Sequence, residues 1–322
     1  MANHLTPIIE PISTIKPPRW KRWLKKLLKI GLAVYIGLAV IMFFLQDWMI
    51  FPGASSQGKP QANVRMMMPD QQLLRLPTRT GQTIAVMFGP ALLPNGSPHP
   101  TAASRPTILY FYGNAMCISA CSDEFAIFRR LGVNVAIAEF IGYGLSTGKP
   151  SEAGVYETAD TAYQYLLTRS DIDPKQIIPV GWSLGATAAI HLASTQPVAG
   201  LATFSAFTRM KDMAHQILPW FPTSLLVKYR FDNERAMALV KCPAFLAHGT
   251  IDGLVPYSMN ARLIKAATCP VTVVPVEGSD HTDIFEVGGA DLWQKLSEFI
   301  ERLHANAASI DSAEKTNAKP PR

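Results

Sequence analysis

A chain of 322 residues, 48% of them hydrophobic, is long enough for one large core with appendages. Its formal net charge of +6 is local, because Lys16, Arg19, Lys21, Arg22, Lys25, Lys26 and Lys29 face only Glu10 across residues 1–29, leaving the rest near neutral. That distribution gives no support for a nucleic-acid-binding face on the globular part, and no internal repeat, P-loop or dinucleotide fingerprint stands out.

The basic leader runs directly into IGLAVYIGLAVIMFFL at 30–45, an uncharged stretch that spans about 24 Å as a helix. Lys29 can snorkel at one end and Trp48 suits the opposite interface. A cleaved signal peptide needs small residues at a cleavage site, and the best one, near Ala54, has Pro52 two places before it. The reading is therefore a basic cytoplasmic leader at 1–29 and a single-pass transmembrane anchor at 30–51. By the positive-inside rule the large domain lies on the far side of the membrane, which in a bacterium is the periplasmic side of the inner membrane.

A Gly/Ser/Pro linker follows at 52–61. Strands are predicted at 63–68, 73–77 and 83–88, and a Pro-rich loop at 90–106. The pattern then alternates. Strands fall at 107–112 (TILYFY), 134–140, 176–180, 199–204, 244–247 and 271–276. Helices fall at 121–131, 151–167, 184–194, 257–267 and 291–304. Alternation of near-continuously apolar strands with helices predicts an α/β fold, a mostly parallel sheet covered on both faces by helices. A helical insertion at 205–240 interrupts it. Its Met210, Met213, Ile217, Leu218, Trp220, Phe221, Leu225 and Leu226 are expected either to roof the site with apolar surface or to form the core of the insert. The domain proper is 62–304, and 305–322 reads as a disordered tail.

One corner carries the chemistry. At 177–193, IIPVGWSLGATAAIHLA, strand formers end in Gly181-Trp182-Ser183-Leu184-Gly185 and turn at once into an alanine-rich helix. A G-x-S-x-G at a strand-to-helix turn exposes the serine hydroxyl, and the N–H of Leu184 opens the helix beside it. Sites in open parallel sheets lie at the carboxyl ends of the strands, so the polar residues of those loops are the partners to examine. After TILYFY, Gly113 lets the backbone approach, and the N–H of Asn114 pairs with that of Leu184 as a two-donor oxyanion hole. After 245–247 comes Asp252 in a polar turn, suited to orienting an imidazole or to capping the next helix. The neighbouring His248 is expected to prop that turn. On the last loop stands His281, completing the chain order Ser, Asp, His. Asp280 and Asp283 flank it but point away along the loop. Ser183 as nucleophile, His281 as general base and Asp252 as its orienting acid form one constellation. The glycine-rich stretch Gly142-Tyr143-Gly144 to Gly148 lacks the Lys-Ser/Thr ending of a phosphate cradle and reads as a wall of the acyl pocket.

Gly113-Asn114-Ala115, the Gly142-Tyr143-Gly144-x-Ser146-x-Gly148-x-Pro150-Ser151-Glu152 stretch, the Ser183 corner, His248-Gly249-Thr250-x-Asp252-x-x-Val255-Pro256 and Gly278-x-x-His281 together resemble the α/β-hydrolase superfamily. More narrowly, the chain resembles membrane-anchored single-pass serine hydrolases related to lysophospholipase and acyl-protein-thioesterase-like enzymes. The resemblance implies the α/β-hydrolase fold with a small cap, a triad of Ser183, Asp252 and His281, and backbone donors at Asn114 and Leu184. The family usually has His-Gly where this chain has Tyr112-Gly113.

The expected activity is hydrolysis of carboxylic esters or thioesters of a small-molecule or lipid acyl substrate through an acyl-enzyme, with no cofactor, metal or nucleic acid. The alternatives are amide or peptide cleavage by the same triad, and a catalytically silent membrane-bound scaffold. Cys117 and Cys121 lack the companions of a metal site, and buried free thiols are expected for both cysteine pairs. A Cys242–Cys269 bridge is the alternative for the second pair. Nothing in the sequence sets an oligomeric state.

Overall fold

The computed structural model describes residues 19–64 and 69–317. The chain divides into two units, Met1–Phe44 and Leu45–Arg322. In the first, helix α1 (Arg19–Ile50) begins, and its best window has a mean hydropathy of 2.3. It is one helix, near the N-terminus, long and apolar enough to cross a membrane. Its last residues, 45–50, belong to the second unit.

The second unit is an eight-stranded sheet with helices packed on it. Its strands are β1 (Gln72–Pro77), β2 (Thr83–Gly89), β3 (Thr107–Phe111), β4 (Asn134–Ala138), β5 (Ile177–Trp182), β6 (Leu201–Phe204), β7 (Ala244–Gly249) and β8 (Val271–Val276). They lie in the order β1-β2-β4-β3-β5-β6-β7-β8. β1 and β2 join antiparallel, and β4 through β8 are parallel. The connecting helices are α2 (Ser122–Arg130), α3 (Glu152–Leu167), α4 (Leu184–Thr195), α5 (Met210–Ile217), α6 (Thr223–Leu226), α7 (Asn233–Met237), α8 (Tyr257–Ala266) and α9 (Ile284–Asn317).

Burial explains the strand sequences. β3, β4, β6 and β7 are buried at every position, which requires cover on both faces and leaves no place for polar alternation. The edge strands β1 and β8 mix exposed and partly buried residues with few buried ones. α5, α6 and α7 make up the insertion between β6 and β7.

Three stretches depart from expectation. The 52–61 segment is two 3-10 turns, Pro52–Ser56 and Pro60–Ala62, with Gly53, Ser56 and Ala62 buried, because its turn residues fold onto the domain instead of spacing it. The strand expected at 63–68 falls largely outside the described residues, and Asn63 and Val64 are not in a strand. α9 starts earlier and ends later than the 291–304 prediction, with a break at Gly289 (φ 45°). It continues to Asn317 through the alanine-rich stretch expected as a disordered tail, since alanine favours the helix. Residues 318–322 lie outside the described residues.

Register places the site. Phe111 pairs with Gly181 and Trp182 with Phe204, so the ends of β3, β5 and β6 stand side by side. The start of α4 then runs so close to β3 that a Cβ on Gly185 would lie 1.9 Å from the Phe111 carbonyl oxygen. Gly185→Ala is therefore expected to cost about 3 kcal/mol or more in urea denaturation. Gly31→Ala, inside α1 with nothing within 4 Å of the added Cβ, should not destabilise.

Candidate active site

Ser183 sits between β5 and α4 with φ 53° and ψ −115°, a left-handed conformation that a non-glycine residue rarely holds. Its N–H donates to the Phe204 carbonyl at 2.9 Å. Both flanking glycines are required by contact: a Cβ on Gly181 would meet the Gly185 carbonyl oxygen at 2.3 Å, and Gly185 faces β3 as above. The corner is held by close packing on both sides, and the serine side chain is left at the end of the sheet, 9% exposed.

Asp252 and His281 arrive from the loops after β7 and β8. These loops pack together so closely that a Cβ on Gly249 would lie 2.3 Å from the Ser279 carbonyl oxygen. His281 Nε2 is 2.9 Å from Ser183 Oγ, and His281 Nδ1 is 2.8 Å from Asp252 Oδ2. The three residues, 98 and 29 positions apart in the chain, form one continuous hydrogen-bonded line. The other carboxylate oxygen of Asp252 accepts the N–H groups of Leu254 (3.0 Å) and Val255 (2.7 Å). His248, fully buried, bonds through Nε2 to the Val255 carbonyl at 2.8 Å and lies 3.4 Å from Asp252 Oδ2. It braces the turn and does not reach Ser183.

Burial alone would raise the Asp252 pKa. Hydrogen bonds from His248 and His281, the charge interaction with His281 and the Val255 N–H outweigh it, and the carboxyl is held well below the usual carboxylate range. Asp280 and Asp283 shape the loop. Asp280 accepts the N–H groups of Gly253 and His281, and Asp283 accepts from Ser279 and from the Asp280 N–H. Neither is bonded to an imidazole nitrogen of His281.

The expected oxyanion donors lie on adjacent strand ends. Leu184 is the first residue of α4, where a helix leaves its N–H groups unpaired, and Asn114 follows β3. Among the described residues neither backbone N–H has a hydrogen-bond acceptor of its own. Ala115 holds φ 64°, which bends the loop sharply at this point.

Several neighbours were not legible as site residues. The Trp182 ring lies 6.1 Å from the His281 imidazole and against Gly113, where a Cβ would be 2.9 Å from it. Its position inside G-x-S-x-G was the only signal. Buried Glu139 accepts from Tyr112 Oη (3.0 Å) and from the N–H groups of Ile118 (2.8 Å) and Leu145 (2.6 Å). It thereby ties the loop after β3 to the glycine-rich loop, and desolvation raises its pKa despite those bonds. The four cysteines are free thiols. Burial, with Cys269 close by, pushes the Cys242 thiol up to about 12. Among the described residues no cluster of His, Cys, Asp and Glu is placed to hold a metal ion.

No family model matches the chain. An uncharacterized protein of Mycobacterium tuberculosis is 32% identical over 203 residues, 63% of this chain and 72% of that one. The mouse alpha/beta hydrolase domain-containing protein 17C is 31% identical over 207 residues, 62% of this chain and 59% of the mouse protein. The chain has the α/β-hydrolase fold. A Pyrococcus furiosus esterase structure shares the hydrolase fold at a TM-score of 0.59 and 16% identity, over 74% of this chain and 95% of that one. In this chain the antiparallel pair β1-β2 precedes the parallel strands that carry the candidate site.

The depressed pKa of Asp252 has a stability consequence with a defined sign. Its stabilisation is present above the unfolded carboxyl value of about 3.9 and is lost as pH falls through the lower folded value. Asp252→Asn should therefore be less stable than the wild type by about 1–3 kcal/mol at pH 7. Urea melts should show that gap persisting down to about pH 4 and narrowing below it.

Proposed function

We propose that this protein is a membrane-anchored serine hydrolase that cleaves carboxylic esters or thioesters of acyl substrates through an acyl-enzyme on Ser183. The observation that carries the reading is the line of two hydrogen bonds from Asp252 through His281 to Ser183, beside two unengaged N–H donors.

Each step follows from a named atom. Ser183 Oγ bonds to the carbonyl carbon while its proton passes to His281 Nε2. Asp252 fixes the tautomer with the other proton on Nδ1 and stabilises the imidazolium. The former carbonyl oxygen becomes an oxyanion and accepts from the N–H groups of Asn114 and Leu184. As the intermediate collapses, the alcohol or thiol leaves with the proton from Nε2. Water then attacks the acyl-enzyme, gives a proton to Nε2, and the acid departs as Ser183 recovers its own. Asp252, its carboxyl held below the usual carboxylate range, stays ionised to orient the imidazole.

The lysophospholipase or thioesterase-like subtype is favoured by two features. The cap exposes Ile217, Trp220 and Leu225, apolar surface that suits an acyl chain or a lipid boundary. The apolar helix ends at the same cap, where Gln46 Nε2 donates to the Leu226 carbonyl at 3.0 Å. The basic residues before that helix orient 1–29 to the cytoplasm and the hydrolase domain to the far side.

A fluorophosphonate should label the wild type and leave Ser183→Ala unlabelled, with ester turnover lower by at least about 10⁴-fold. Equal labelling of the two would refute the assignment. Protease added to bacterial spheroplasts should digest the domain, whereas protection until detergent is added would reverse the orientation.

A further inference from the structure

The chain leaving the apolar helix is built into the loop that carries Asn114. Asn114 Nδ2 donates to the Ile50 carbonyl at 2.5 Å. Its Oδ1 accepts from Tyr143 Oη at 2.7 Å and from the Ala115 N–H at 3.0 Å. The side chain is thus held from two directions, and its own backbone N–H is left unengaged.

Both holders are themselves anchored. Two residues near the end of α1 grip the cap: Lys228 N–H donates to Gln46 Oε1 at 2.6 Å, and Tyr229 Oη donates to Asp47 at 2.7 Å. Phe51 is buried edge-on against Tyr229, with ring centroids 5.1 Å apart. Beyond it, Gly53 presses on the Tyr143 ring, where a Cβ would lie 2.2 Å away. Ser56 Oγ accepts the Gly144 N–H at 3.0 Å, and Gly58 N–H donates to the Gly144 carbonyl at 2.8 Å. Gln57 Nε2 bonds the carbonyls of Ser146 (2.9 Å) and Gly148 (3.1 Å). Residues 46–58 therefore form a strap that joins the helix exit, the cap, the glycine-rich loop and the oxyanion loop.

We infer that this strap positions the oxyanion hole: the Ile50 carbonyl and the Tyr143 hydroxyl fix the Asn114 side chain so that the Asn114 N–H stays aimed beside that of Leu184. The inference rests on the serine-hydrolase reading. Asn114's side chain and Tyr143 are positioning groups that act through a backbone donor. A donor set before the oxyanion forms needs no reorganisation in the transition state, so loosening it lowers turnover rather than ground-state binding.

The test uses the full-length protein in detergent with p-nitrophenyl butyrate. Asn114→Ala keeps the backbone N–H and removes both side-chain holds. Its kcat should fall about 10- to 100-fold, less than the 10²–10³ typical for loss of a whole donor, with KM within about twofold. The acid limb of its pH profile should not move, because Asp252 and His281 are untouched. Asn114→Asp keeps the acceptor for Tyr143 and replaces the donor to Ile50 with oxygen, so it should be at least as impaired. Tyr143→Phe should lose several-fold in kcat in the wild-type background and nothing further in Asn114→Ala, whose acceptor is already gone. Should the Asn114 variants fail to fold, Tyr143→Phe carries the test alone. A folded Asn114→Ala or Tyr143→Phe with wild-type kcat, a loss confined to KM, or an Asn114→Asp at wild-type level would overturn the positioning role. Absence of Ser183-dependent turnover in the wild type would instead overturn the hydrolase reading and this inference with it.

Discussion

The close passage of α4 over the end of β3 is the constraint on which the rest depends. With Gly185 against the Phe111 carbonyl and Gly181 against Gly185, the chain reverses from strand to helix in a single residue. That residue, Ser183, takes a positive φ because no other conformation makes the turn. The strain is offset by a buried sheet on both sides and by the bond from its N–H to Phe204. The same approach brings the first N–H of α4 beside the loop after β3. The proposed nucleophile and both proposed donors are therefore products of one packing contact, and the parallel register sets the proposed base and acid next to them.

Electrostatically the site works by opposition. Burial penalises the Asp252 carboxylate, yet His248, His281 and two backbone N–H groups supply enough hydrogen bonding to keep it ionised. Glu139 accepts three hydrogen bonds and has the Arg75 charge nearby, yet desolvation outweighs them and its pKa is raised. Two buried carboxyls thus take different parts, Asp252 orienting an imidazole and Glu139 tying backbone loops together.

What was legible in the sequence was whatever local chemistry dictates. Runs such as TILYFY are apolar throughout because both faces of the sheet are covered. The glycines around Ser183 announce a corner that side chains would obstruct, and strand-end loops put polar residues at one edge of the sheet. That logic singles out Asn114, Leu184, Asp252 and His281 as candidates. The bonds between them are long-range, and only the fold brings them within reach. The strap at 46–58 was illegible for the same reason. Its Gly, Ser and Pro residues have linker composition, while its contacts are with loops some 60–180 positions away. The side-chain role of Asn114 likewise depends on a main-chain carbonyl, which leaves no trace in residue type. The helix past residue 304 was hidden by polar residues interspersed with alanine.

Ser183 as a covalent nucleophile is the centre of this account. Acid-quenching the full-length protein during turnover of p-nitrophenyl butyrate and mapping its peptides by mass spectrometry tests it most directly. A butyryl adduct on Ser183 should accumulate while p-nitrophenol is released. Turnover without any adduct, or an adduct on another residue, would contradict it.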